Sequence, residues 1–77
     1  MTKNELTAEL RRAVVRAVVA GMDPQDALAA VVGVAGWMIG TTPVPETREA
    51  HLNRAQAMLP RAVECVSIGR NPLEALQ

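Results

Sequence analysis

Ala27-Leu28-Ala29-Ala30-Val31-Val32-Gly33-Val34-Ala35-Gly36-Trp37-Met38-Ile39-Gly40 runs for fourteen residues without a charge or a strongly polar side chain. Bounded by helix-start chemistry on one side and prolines on the other, it reads as a helix, and a helix that is apolar all round has to be covered all round. Glycines at 33, 36 and 40 cost up to about 1 kcal/mol each relative to alanine inside a helix. Their presence at 33 and 36 therefore predicts close helix contacts rather than an early stop near Trp37. Trp37-Met38-Ile39 is the one cluster of large apolar side chains. It can anchor a monomer core or sit at the centre of an intermolecular contact, where Trp and Met are enriched. Three helices of this size cannot easily wrap the middle one on every side. The expectation is that Trp37 is buried where two chains meet, with Val32, Gly33, Gly36, Trp37 and Met38 as the candidate protein interface.

Upstream, Asp23-Pro24-Gln25-Asp26 supplies the N-cap, the N1 proline and an acid at N3, the sharpest boundary in the chain. Gly21 closes the helix before it. That first helix opens with Thr2 as N-cap and Glu5 as capping-box partner. Leu6, Leu10, Ala13, Val14, Ala17 and Val18 fall on one stripe, which Val15 and Val19 broaden. Glu5, Glu9, Arg12 and Arg16 lie along the opposite side and read as a solvated face. Downstream, Thr41-Thr42-Pro43-Val44-Pro45 is the main loop, because residues before proline avoid the α region. The third helix starts at Pro45 or Glu46 and carries Leu52, Ala55, Leu59, Ala62, Val63 and Val66 on one stripe. Pro60 lies inside it and predicts a kink rather than a break, since the stripe continues across it. Gly69 is a C′ stop, and Asn71-Pro72-Leu73-Glu74 starts a short C-terminal helix that Leu73 and Leu76 would dock. No internal repeat, low-complexity tract or second domain is read, so residues 1–77 are expected to form one helical domain.

Seventy-seven residues is near the size at which a single core leaves only about 3 to 5 kcal/mol of net stability. One cysteine, Cys65, and one histidine, His51, allow neither an internal disulfide nor a four-ligand zinc site within one chain. Oligomerisation is the remaining source of stability. Apolar residues make up 49% of the chain, yet Trp37 is the one aromatic, so the core is expected to be thin and tight. Charge cancels locally as well as overall. Residues 1–26 carry Lys3, Arg11, Arg12 and Arg16 against Glu5, Glu9, Asp23 and Asp26, and the remainder has four of each sign. Phosphate neutralisation needs clustered excess positive charge, so the composition argues against a nucleic-acid partner. Met1 is followed by a polar, capped helix start and not by the basic and apolar regions of a signal peptide. The expected location is cytoplasmic, which an unpaired cysteine fits.

Catalytic chemistry finds little to stand on. His51 and Cys65 are fourteen positions apart on one helix, about 20 Å at 1.5 Å per residue, and no nucleophile, base and oxyanion donors can be grouped. Cys65, beside Val63 and Val66, reads as a small half-buried hydrophobe. Gly33, Gly36 and Gly40 lack the preceding strand and the Lys-Ser/Thr ending of a phosphate loop. Ala17, Gly21 and Met22 fall at helix-turn-helix offsets, but the following helix would offer Asp23 and Asp26 to phosphates and almost nothing to base edges. A transmembrane span is the sharpest rival. Ala27 to Pro45 is uncharged, and Gly36-x-x-x-Gly40 matches a small-xxx-small pattern. The helical part is nonetheless short of the roughly 20 residues a bilayer needs, and its flanks lack a Lys/Arg bias.

The sequence therefore predicts an all-α fold, a small helical bundle of three main helices at about 3–20, 24–39 and 46–68 plus a short C-terminal helix, paired as a two-fold homodimer. The expected function is that of a non-enzymatic protein–protein interaction module, a homo-oligomeric helical adaptor or assembly factor, without catalytic residues, cofactor or metal. Its expected partners are itself and a further protein. One alternative is a small phage or mobile-element accessory protein that inhibits or regulates a host complex, the anti-CRISPR-like class, suggested by size, a start at Met1 and the lack of any site. Another is a small membrane-associated helical protein.

Overall fold

The computed structural model describes residues 1–76, with the backbone alone at 75 and 76. Helix α1 spans Lys3–Val19, α2 Pro24–Gly40 and α3 Pro45–Ser67, and a 3-10 helix covers Pro72–Leu76. No strand occurs among the described residues. The all-α class and the three helix ranges agree with the sequence reading to within one residue at each end. Contacts divide the chain into two compact units, Met1–Trp37 and the residues from Met38 onward, so the boundary falls in the last turn of α2.

The helix starts follow from their caps. Thr2 accepts a hydrogen bond from the Glu5 amide at 3.1 Å, satisfying one of the amides that a helix N-terminus leaves without a partner. Asp23 Oδ1 does the same for the Gln25 amide at 2.8 Å, and Asn71 Oδ1 for Leu73 at 3.0 Å. Val44 precedes α3 in extended conformation and has no side-chain cap bond. Pro45 at the first helical position compensates in part, since its missing N–H is one of the orphans.

One turn signature occurs twice in the chain, short of an internal repeat of whole structural units. Gly21-Met22-Asp23-Pro24-Gln25-Asp26-Ala27-Leu28 returns as Gly69-Arg70-Asn71-Pro72-Leu73-Glu74-Ala75-Leu76, and the two segments build the same turn. Gly21 and Gly69 both have positive φ, 111° and 78°. Their amides donate to Val18 O at 3.0 Å and Val66 O at 3.1 Å, while Met22 and Arg70 donate to Ala17 O and Cys65 O at 3.0 and 2.7 Å. This pair of bonds is the Schellman motif, which satisfies the last carbonyls of α1 and α3 and requires the left-handed residue that glycine supplies most easily. The copies diverge one turn later. Asp23 O accepts from Ala27, four residues on, and starts an α-helix, whereas Asn71 O accepts from Glu74, three residues on, and starts the 3-10 helix.

Helix α3 is continuous through Pro60, so the proline does not break it. In the second unit α3 packs against the 3-10 helix. Leu73 is buried there, beside an open hollow of about 320 Å³ lined by Ala62, Val63, Val66, Ser67 and Pro72. The docking expected of the Leu76 side chain lies outside the described residues. On α3 the half-buried positions are Ala55, Met58, Ala62 and Cys65, a stripe rotated from the expected one. Leu52, Leu59, Val63 and Val66 are exposed. In the first unit Ala27 is the buried residue, at the start of α2. The expected thin, tight core thus reduces, among the described residues, to Ala27 and Leu73.

Candidate protein interface

Helix α2 has no charged residue after Asp26, and it is exposed along nearly its whole length. Val32 is 57% exposed, Trp37 67% and Met38 61%, and Leu28, Val31 and Val34 are exposed as well. Ala27 is buried and Ile39 half-buried. The helix ends at Gly40, where the hydroxyls of Thr41 and Thr42 donate to Met38 O at 3.1 and 3.4 Å. These bonds fold the threonines back over the last turn and satisfy a terminal carbonyl. The loop is tied onward to α3 by Arg48, whose Nε donates to Thr42 O at 3.1 Å.

Glycines placed along such a helix predict neighbours close enough to exclude a Cβ. Among the described residues there are none. A Cβ built on Gly33, Gly36 or Gly40 meets nothing within 4 Å, which corrects the expectation of close helix contacts at Gly33 and Gly36 as far as the single chain is concerned. All five candidate interface positions, Val32, Gly33, Gly36, Trp37 and Met38, are therefore exposed along one helix. At 1.5 Å per residue α2 is roughly 25 Å long, and no helix among the described residues is long and apolar enough to cross a membrane.

A second exposed surface lies on α1, and sequence reasoning misplaced it. Thr7, Val14, Ala17 and Val18 are half-buried, while Leu6, Leu10 and Ala13 are exposed. The apolar arc is thus split, with only one flank turned inward. Its outer flank carries a shallow hollow of about 470 Å³ lined by Leu6, Glu9, Leu10, Arg12, Ala13 and Arg16. The signal that would have found it is the order of charges beside the leucines, acidic at 5 and 9 and basic at 12 and 16.

For reaction chemistry the arrangement offers little. His51 is exposed on α3 and Cys65 half-buried further along the same helix, too far apart to share a proton. Among the described residues no three of His, Cys, Asp and Glu converge as metal ligands. Buried side-chain nitrogen and oxygen atoms without a hydrogen-bond partner, the usual mark of a polar site, do not occur among them either. What the geometry presents is apolar surface. No protein-family model matches the chain, and neither does any curated protein or any solved structure.

Proposed function

We propose that this protein is a non-enzymatic protein–protein interaction module that associates with a second copy of itself, a homo-oligomeric helical adaptor or assembly factor. The contact is centred on α2 at Val32, Gly33, Gly36, Trp37 and Met38. The observation that carries this reading is the exposure of an uncharged helix, with Trp37 and Met38 each more than half exposed and open space at every α2 glycine. Fully burying one large aliphatic or aromatic side chain contributes about 1.5 to 3 kcal/mol. A helix with Leu28, Val31, Val32, Val34, Trp37 and Met38 all exposed therefore forgoes a sum comparable to the whole net stability of a small domain.

A second copy is the partner favoured by symmetry and composition. The surface is neutral, so it selects no charged ligand, and its small residues allow two identical backbones to approach closely about a two-fold axis. A cytoplasmic location is part of the same reading.

The test is sedimentation equilibrium over a concentration series, with Trp37→Ala as the variant. The wild type should pass from monomer to dimer across the micromolar range. The variant should do so at concentrations at least tenfold higher while keeping its helical circular dichroism. A wild type that stays monomeric at high micromolar concentration overturns the proposal.

A further inference from the structure

The charges on α1 are arranged as their own complement. Glu5 and Glu9 precede Arg12 and Arg16 along one side of the helix, and all four are exposed. Beside them runs the exposed flank of Leu6, Leu10 and Ala13, about half of each leucine being open to solvent. Read from the other end, the same helix presents arginine where it presented glutamate and alanine where it presented leucine.

We infer that α1 forms a second contact with the partner assigned above, pairing antiparallel with α1 of the second copy about a two-fold axis that crosses it between Arg11 and Arg12. The inference rests on the reading that the partner is another copy of this chain, and it adds the orientation. In this register Leu10 lies opposite the exposed Ala13 of the second copy and Leu6 opposite the half-buried Ala17 at the edge of the seam, so each large side chain faces a small one, as close packing of two helices requires. Glu9 falls within one turn of Arg12 and Arg16 of the second copy, and Glu5 within one turn of Arg16. These are positions flanking the apolar seam, where charges set partner and direction in paired helices. The two-fold axis then repeats every contact.

In a parallel, in-register pair of the same helices the charged sides would lie on opposite sides of the seam, and the glutamates would meet no arginine of the second copy. Only the antiparallel arrangement brings the charged sides together, which is how flanking charges select a direction. The hollow on α1 is lined by the residues that this register uses, Leu6, Glu9, Leu10, Arg12, Ala13 and Arg16. Leu6 enters the hollow of the second copy from one side as Leu10 crosses the axis.

Two charge-swapped proteins test this, one carrying Glu5→Arg with Glu9→Arg and the other Arg12→Glu with Arg16→Glu, each first shown to be helical by circular dichroism. Sedimentation equilibrium at low salt should give each alone a dimer dissociation constant at least tenfold weaker than the wild type. A one-to-one mixture should recover association to within about threefold, and the differences should shrink at high ionic strength as the charges are screened. If a doubly substituted protein loses helicity, Glu9→Arg and Arg16→Glu as single substitutions give the same comparison with a smaller expected loss. A wild-type dimer whose charge-swapped forms associate as tightly as itself, or fail to recover on mixing, overturns the α1 register and leaves self-association standing. A monomeric wild type overturns both.

Discussion

Gly21 and Gly69 are the residues whose replacement the backbone resists most clearly, although neither has a neighbour within 4 Å of an added Cβ. Their positive φ is the constraint, because an L side chain there is pressed against its own backbone at a cost of about 1 to 2 kcal/mol. Gly21→Ala should lower the thermal midpoint by several degrees in a domain of this size, measured by circular dichroism, and Gly69→Ala should do so through the second turn. An unchanged midpoint for both would show that these turns contribute nothing to stability. Both glycines were legible in sequence, since Gly followed two residues later by Asp or Asn and then Pro admits few other structures. The environment of Trp37 was not. The sequence expectation was burial where two chains meet, and its 67% exposure in the single chain depends on which elements approach α2, which one side chain does not encode. Trp37→Ala is accordingly expected to weaken self-association and to leave the helical signal of the isolated chain nearly unchanged. A buried Trp would instead cost about 3 to 5 kcal/mol on truncation.

At the level of elements, α2 permits a test with two readouts of opposite sign. Gly33→Ala and Gly36→Ala each raise intrinsic helix stability by up to about 1 kcal/mol, and each added methyl enters open space within the chain. Helicity at low concentration should therefore rise. If a second backbone approaches these glycines, the same methyl groups obstruct it, and the dimer dissociation constant should increase severalfold by sedimentation. Rising helicity with unchanged association would place the self-contact away from the glycines. Helix existence and ends were readable for all three helices because caps, prolines and periodicity are local properties. The arc each helix turns inward was not. On α3 the sequence stripe ran through Leu52, Ala55, Leu59, Ala62, Val63 and Val66, of which Ala55 and Ala62 are half-buried, together with Met58 and Cys65 from outside it. Both sets belong to one wide apolar arc, and periodicity locates an arc without saying which flank of it meets a neighbour.

For the molecule as a whole, the described residues bury only Ala27 and Leu73 among the hydrophobics, and stability should then depend on concentration. For a chain that folds as it dimerises, each tenfold rise in concentration adds about 1.4 kcal/mol per dimer, enough to raise the melting temperature by several degrees. Calorimetry at three protein concentrations checks this, and a melting temperature independent of concentration would count against the self-associating module. The turn at 21–28 and its return at 69–76 show how far local sequence reaches, since the same residue pattern fixes the same Schellman bonds twice. It reaches no further than one turn, where the first copy enters an α-helix and the second a 3-10 helix. By itself the sequence determined the helices, their caps, the two glycine turns and the neutral apolar character of α2, because each is set by bonds and sterics within a few residues. Only the tertiary structure decided which apolar flanks are covered and which stay open, because burial depends on what distant segments bring alongside, and side chains equal in hydropathy compete for that cover on equal terms.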